Sequence, residues 1–307
     1  AVLTTGEPAL FSANITDNIG VSLVKLAYTV NGIIIENVTV SNQTGDNWTA
    51  TIEIPVNCVS FEYFFWANDS TGNERRSATQ SPGVADNDRP IFGIIWVSPL
   101  TTGDSAYLSA NITDNIAIDS VKLDFTINGA EHHNWSVVNN TGTSWDITIT
   151  LPADTVSLEY AFRARDSSAN WQGSTNATPS VSDNDRPVYG IHWESSLSTG
   201  EMAYFSVNVT DNLVIGTVRF DFTINGGANY NWSVTNVTGD SWYIYIRIPG
   251  YATSVEYSFW SQDASGNRET TNKTVSAVTD NDGPVSDPGI NITTDRHVPV
   301  IFNGSNS

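Results

Sequence analysis

The chain has 307 residues, with 33 acidic against 13 basic side chains, a formal net charge of −20, 39% hydrophobic and 11% aromatic residues. That balance excludes a nucleic-acid binder, which needs clustered Lys and Arg, and a binder of anionic membrane surfaces, while the apolar share excludes a disordered polyelectrolyte. Acidity on this scale suits solubility, halotolerance or divalent cations.

Taken from the N-terminus, the landmarks return at a fixed step of 97 residues. Asp17-Asn18 recurs at Asp114-Asn115 and Asp211-Asn212, and Asn31-Gly32 at Asn128-Gly129 and Asn225-Gly226. Trp48 recurs at Trp145 and Trp242, Pro55 at Pro152 and Pro249, and Asp69 at Asp166 and Asp263. The run Val84 to Pro90, which contains Asp86-Asn87-Asp88, returns at Val181 to Pro187 and again at Val278 to Pro284. Such self-similarity marks tandem modules, each within the usual size of a domain with its own core. The expected division is 1–86, 87–183 and 184–280, followed by a linker and tail over 281–307.

Within a repeat the periodicity is that of strands. In the second, Val121, Leu123, Phe125 and Ile127 alternate with Lys122, Asp124, Thr126 and Asn128, and Trp145, Ile147, Ile149 and Leu151 alternate with Asp146, Thr148 and Thr150. Period two means one buried face. Leu158, Tyr160, Phe162 and Ala164 give another inward set, as do Tyr107, Ser109 and their neighbours to Thr113. Turn residues end each run: Thr102-Gly103, Asp114-Asn115, Asn128-Gly129, Thr141-Gly142 and Asp166 to Asn170. With Ile91 to Val97 in front and Gln172 to Val181 behind, the pattern predicts about seven short strands in an antiparallel β-sandwich.

Cys58 is a lone cysteine replaced by Thr155 and Ala252 in the other repeats, so it is expected to be a small buried side chain without chemistry. Fifteen Asn-X-Ser/Thr sequons occur, and three positions persist in every repeat: Asn14, Asn111 and Asn208; Asn37, Asn134 and Asn231; Asn42, Asn139 and Asn236. Regular recurrence favours N-linked glycans on a secreted surface protein, against sequons arising by chance in an Asn- and Thr-rich chain. In the register of Phe11, Ala13 and Ile15, Asn14 points outward. No signal peptide or apolar run of membrane-spanning length is present, so a processed or partial chain is expected.

The phrases Ala67 to Asn73 and Ser261 to Asn267 resemble the end-of-module signature of bacterial and archaeal immunoglobulin-like surface repeats, from which the second repeat departs with Ala169. The Asp-Asn-Asp-x-Pro joint is similar to the calcium-binding linker of cadherins, though shorter. The resemblance spans residues 1 to about 290 and implies an all-β chain of three tandem immunoglobulin-like, fibronectin type III-like, seven-stranded sandwiches, the first lacking its N-terminal strand.

With successive strands alternating in direction, the loop after the second strand and the loop before the last lie at the pole where the chain enters. Asp114 and Asp166 should then face Asp86 and Asp88, and Asp211 and Asp263 should face Asp183 and Asp185. Carboxylate oxygens from three segments suit calcium. The alternative reading is that Asp and Asn sit in these turns to bond nearby backbone amides.

His132, His133, His192 and His297 have no metal-ligand spacing, and no paired catalytic carboxylates, nucleophile elbow or phosphate loop stands out, so no enzyme is expected. Trp48, Trp145 and Trp242 fall on inward positions, whereas Trp66, Trp260, Trp135 and Trp232 fall on outward ones. These readings predict a calcium-stiffened, glycosylated rod in an extracellular filament or surface layer, whose partners are copies of itself. The alternatives are an adhesin that binds cell-surface glycans through its outward tryptophans, or a spacer of a larger surface enzyme. Position 1 aligns with Ser98, so the first repeat starts one strand short. Val285 to about Thr293, or Val298 to Phe302, is the candidate donor strand from a neighbouring copy, and this would bring Asp280 and Asp282 to Asp17 and Asp69.

Overall fold

The computed structural model describes residues 2–284; the candidate donor strands in 285–307, and His297, lie outside the described residues. Among the described residues every regular element is a strand, and no helix is long and apolar enough to cross a membrane. The chain divides into two compact units, Ala1–Ser182 and Asp183–Ser307.

In the first unit, the second repeat builds two four-stranded antiparallel sheets. One runs in the order Ile91–Val97, Ser105–Thr113, Ser144–Thr150, Val138–Thr141, and the other His132–Ser136, Ile118–Ile127, Leu158–Asp166, Trp171–Gly173. Their inner faces meet in one core, where Leu108 and Ile149 from the first sheet pack with Leu123 and Phe162 from the second. Each such side chain contributes about 1.5–3 kcal/mol on leaving water, and together they give the immunoglobulin-like sandwich.

Three features differ from the sequence reading. The sandwich has eight strands in its two sheets rather than about seven, and the six runs named from the sequence pattern pass over His132–Ser136 and Val138–Thr141. Both are edge strands whose mostly exposed residues give no alternation, and between them Val137 turns inward and donates its N–H to Val121 at 2.9 Å. The inward set of Ser105–Thr113 is Ala106, Leu108, Ala110 and Ile112, so Tyr107 and Ser109 face outward. The two alanines blur the hydrophobic contrast on which the phase depends, and a one-residue slip exchanges the faces. The stretch Gln172 to Val181 divides into Trp171–Gly173 and Val181–Ser182, the latter pairing in parallel with Leu100–Thr101.

The first repeat follows the same plan. Its sheets are Pro8–Asn14, Asn47–Glu53, Ser41–Thr44, and Ile33–Thr39, Val21–Val30, Phe61–Asp69, Glu74–Arg76, so the first has three strands where its counterpart has four. Phe61 centres the core, stacked on Phe11 at 5.4 Å and on Tyr28 at 5.3 Å. Val2–Thr4 pairs in parallel with Gly83–Ala85, which brings Thr5 beside the linker.

The second unit contains Val188–Glu194, Met202–Thr210, Ser241–Arg247, Thr235–Thr238 in one sheet. The other holds Asn229–Ser233, Ile215–Ile224, Ser254–Asp263 and Arg268–Thr270, with Thr274–Ala277 also pairing to Ser254–Asp263. Phe205, Phe220 and Phe259 are fully buried between them.

The recurring Asn-Gly pairs are hairpin turns. Asn128 and Gly129 both have positive φ, 54° and 63°, as the favoured two-residue turn requires. The same asparagine ties the hairpin to a distant loop: its Oδ1 accepts from the N–H groups of Val156 at 2.7 Å and Ser157 at 3.1 Å, and its Nδ2 donates to Asp154 O at 2.9 Å. Asn31 and Asn225 repeat these bonds.

Candidate metal centre

Asp166 closes its own loop. Its Oδ1 accepts from the backbone of Ser168 and Asn170, each at 2.8 Å, and its Oδ2 from Asn170 Nδ2 at 2.8 Å. Asp69 and Asp263 are capped in the same way. Asp114 makes a smaller turn, with its Oδ2 accepting from Ile116 at 3.0 Å and Ala117 at 3.1 Å. The local reading of these residues as turn formers therefore accounts for both oxygens of Asp166 but for only one of Asp114.

The carboxylates also converge across the loops. In the first unit, carboxylate oxygens of Asp86, Asp114 and Asp166 lie within 4.8 Å of one another; in the second unit those of Asp183, Asp211 and Asp263 do the same. Asp166 is 1% exposed and Asp263 is 4% exposed. Asparagine side chains hold the linker in place: Asn115 Nδ2 donates to Val56 O at 2.7 Å, Asp86 Oδ1 at 3.0 Å and Asp88 Oδ2 at 3.2 Å, and Asn170 Nδ2 reaches Asp86 O at 3.1 Å. Asn212 and Asn267 make the corresponding bonds to Asp183 and Asp185. The Thr5 hydroxyl sits between Asp86 Oδ1 and Asp88 Oδ2 at 3.2 and 3.3 Å. Asn115, Asn170 and Thr5 were not assigned to the site from sequence, yet Asn18, Asn115 and Asn212, Asn73, Asn170 and Asn267, and Thr5, Thr102 and Thr199 all keep the 97-residue step.

Several oxygens remain unused. Asp86 Oδ2, Asp114 Oδ1, Asn115 Oδ1 and Asp211 Oδ1 are buried and accept no hydrogen bond from the described residues. An orphaned buried oxygen costs about 1–3 kcal/mol, and those at 86 and 114 belong to the converging carboxylates. Burial, then the neighbouring Asp166 and Asp86 carboxylates, push the Asp114 carboxyl upward, and burial followed by Asp263, Asp183 and Asp185 does the same to Asp211. Asp17, at the same position of the first repeat, is exposed and shifts downward, held by the N–H groups of Gly20 and Ile19. The donors are all hard oxygens, with neither imidazole nor thiolate. They fit a calcium ion, which takes six to eight oxygens in irregular geometry and would draw some of these from water.

The remaining residues of the predicted set stand differently. Asp88 bonds Asn115 and Thr5 at the rim, and Asp185 bonds Asn212. Asp17 and Asp69 line an open cavity of about 630 Å³ in the first repeat. Asp280 Oδ1 accepts the backbone N–H of Asp282 at 3.0 Å and lies 3.3 Å from the Thr199 hydroxyl.

Asn42, Asn139 and Asn236 donate their Nδ2 to Gly45, Gly142 and Gly239 carbonyls across tight hairpins, while Asn134 and Asn231 bond Asp124 and Asp221. Asn14, Asn111 and Asn208 lie at outward positions of their strands. Trp66 lies under Lys25 at 5.9 Å and Trp260 under Arg268 at 5.1 Å, so both outward tryptophans are half covered. Trp135 and Trp232 are 45% exposed, the former against Phe125, on which the half-buried His133 also stacks. Cys58 is buried, and burial pushes its thiol upward.

No family model matches the chain, and no curated protein matches it. Among solved structures, a tetra-tandem repeat from the extending region of a large adhesion protein is 17% identical, over 90% of this chain and 74% of that one, with a TM-score of 0.45. A bacterial ice-binding adhesin studied for its host cell surface retention is 14% identical, over 91% of this chain and 93% of that one, with a TM-score of 0.34. A Ca2+-stabilised adhesin by which an Antarctic bacterium binds ice is 16% identical, over 91% and 71%, with a TM-score of 0.30.

Proposed function

We propose that this chain is a structural component of an extracellular filament or surface layer, built of immunoglobulin-like repeats whose linkers are fixed by calcium. The observation that carries this reading is the pair of buried, unpartnered oxygens, Asp86 Oδ2 and Asp114 Oδ1, among three converging carboxylates. Asp86 belongs to the linker, whereas Asp114 and Asp166 belong to two loops of the second repeat, so one ion would lock the linker to the repeat that follows it. Tandem repeats that keep one sequence step of 97 residues suit a one-dimensional array. Small-angle scattering and thermal melting with and without chelator test it: removing calcium should loosen the chain and lower its melting temperature, and identical curves would refute it.

Head-to-tail growth by strand donation belongs to the same proposal. Phe92 and Ile95 of the edge strand Ile91–Val97 pack on the core of the second repeat, and Phe92 pairs with Ile112. The counterpart of Ile112 is Ile15, which lines the open cavity of about 630 Å³ with Phe65 and Ala67. A strand of the same pattern would fill this groove and pair with the edge of Pro8–Asn14 that no described strand occupies. In an array the donor would be residues from 285–307 of the next copy. Deleting 285–307 should abolish polymerisation; polymers formed by the truncated chain would rule out donation by that segment.

N-linked glycans at Asn14, Asn111 and Asn208 complete the proposal, because these amides point outward, whereas the amides of Asn42, Asn139 and Asn236 close hairpins. Intact mass of native material equal to that of the bare polypeptide would remove this part.

A further inference from the structure

The outer face of the sheet containing Val188–Glu194, Met202–Thr210 and Ser241–Arg247 carries a continuous group of four rings. Tyr204 is its centre, with Trp193 at 5.5 Å, Tyr243 at 5.7 Å and Tyr245 at 5.1 Å; Tyr243 and Tyr245 are themselves 5.7 Å apart. The ladder register explains the grouping: Tyr204 lies directly opposite Tyr245, and Ser206 lies between Trp193 on one side and Tyr243 on the other. Trp193 is 55% exposed and Tyr245 is 54% exposed.

The second repeat keeps two of these rings, as Trp96 and Tyr107 with centroids 5.8 Å apart, but the fold does not require the other two. The second repeat builds the same sheet with Asp146 and Thr148 at the positions of Tyr243 and Tyr245, and the first with Thr49 and Thr51. Nor does the face share the acidity of the chain, whose net charge is −20. The outward residues of Met202–Thr210 and Ser241–Arg247 include no carboxylate, and the one cation, Arg247, spends its Nε on Gly200 O at 3.2 Å. What remains is aromatic faces rimmed by neutral hydroxyls, namely those of Ser206, Ser241 and the tyrosines.

We infer that this platform is a binding site for an uncharged glycan, with pyranose faces stacked on Trp193, Tyr204 and Tyr245 and hydroxyls bonded along the rim. Rings with an apolar face and a polar edge match the two-sided character of a sugar. Size favours a sugar over a second copy of the chain: the four half-covered rings offer on the order of 300 Å², against about 800 Å² per partner in a standard protein interface. The site is independent of the calcium proposal, because none of its residues touches the carboxylate clusters.

The test uses the full chain, produced without glycosylation so that no sugar on Asn208 can occupy the face. It is titrated with cello-, chito-, xylo- and manno-oligosaccharides, following Trp fluorescence and calorimetry. The variant Tyr243→Asp with Tyr245→Thr installs the residues of the second repeat and therefore keeps the sheet. Trp232→Ala, on the opposite sheet, is the control. At least one neutral oligosaccharide should bind, about tenfold or more weaker to the double variant and unchanged to the control. Absence of binding to all four series, equal binding by the double variant, or a sedimenting dimer that the double variant abolishes would each overturn the inference.

Discussion

A carboxylate oxygen of Asp114 lies within 4.8 Å of one from Asp86, 28 residues earlier in the chain, and this approach separates Asp114 from its repeat counterpart Asp17. The two make the same Asx turn, yet Asp17 shifts downward and Asp114 upward, burial being the largest cause and the facing carboxylates adding to it. A raised carboxyl favours the protonated folded state. Its stabilising contribution is present below the ordinary value of 3.8 and is lost as pH rises through the raised value. Asp69 acts in the opposite sense, since the Asn73 side chain holds it down to about 2, so its contribution is present above 3.8 and lost as pH falls through about 2. In chelator, melting temperature should therefore rise as pH falls from neutral towards the upper carboxylate range, then drop in stronger acid. In excess calcium, where protons compete with the ion, the first limb should reverse; a rise in both buffers would remove the cation.

Asp114→Asn isolates the charge. The amide keeps an oxygen for the Ile116 and Ala117 N–H groups while ending the repulsion with Asp86 and Asp166. The variant should melt higher than the parent in chelator. It should also lose most of the calcium-dependent gain, which for the parent is about 2.7 kcal/mol when the free ion exceeds its Kd by about 100-fold. Calorimetry in both buffers checks this, and a variant that responds to calcium as strongly as the parent would place the ion elsewhere.

Much of this arrangement was legible in the sequence, and the parts that were not share physical causes. The strands with strong alternation, such as Ile118–Ile127, could be phased from Val121, Leu123 and Phe125. Ser105–Thr113 could not, because Ala106 and Ala110 are small and Tyr107 outside is large. The edge strands His132–Ser136 and Val138–Thr141 bury almost nothing and left no pattern to read. At the candidate centre the carboxylates of Asp86, Asp114 and Asp166 could be placed from strand direction alone. The asparagine donors could not, since Asn115 reads as a turn residue until Val56 is seen across from it.

Asn128 joins turn geometry to long-range bonding, and the two can be separated. Asn128→Gly keeps the positive φ but deletes three hydrogen bonds to Asp154, Val156 and Ser157, which should cost about 1–2 kcal/mol. Asn128→Ala adds the strain of a left-handed Cβ-bearing residue, roughly 1 kcal/mol more. Urea unfolding of the three proteins measures both steps; equal losses in the two variants would mean that the strain of the turn only matches the roughly 0.4–1 kcal/mol that glycine loses through the freedom it gives the unfolded chain.

Ala169 offers the converse test. Its φ is 74°, where Gly72 and Gly266 stand at 89° and 99° in the other repeats. An alanine held left-handed costs about 1–2 kcal/mol, against about 0.4–1 kcal/mol that glycine loses through the freedom it gives the unfolded chain. Ala169→Gly should therefore stabilise the first unit by about 0.5–1 kcal/mol, and Gly266→Ala should destabilise the second by a similar amount. At Gly266 the added Cβ would meet only Gln262 Nε2 at 3.6 Å, an ordinary contact, so the loss would report backbone strain rather than a clash. Asn170 Nδ2, one residue beyond Ala169, donates to Asp86 O at 3.1 Å, and relief of strain there should also tighten the linker. Hydrogen exchange at the backbone of 86–88 reads that second effect. A stabilised unit with unchanged exchange would confine the gain to the loop, and a destabilised Ala169→Gly would show that the loop pulls the alanine into its conformation without strain.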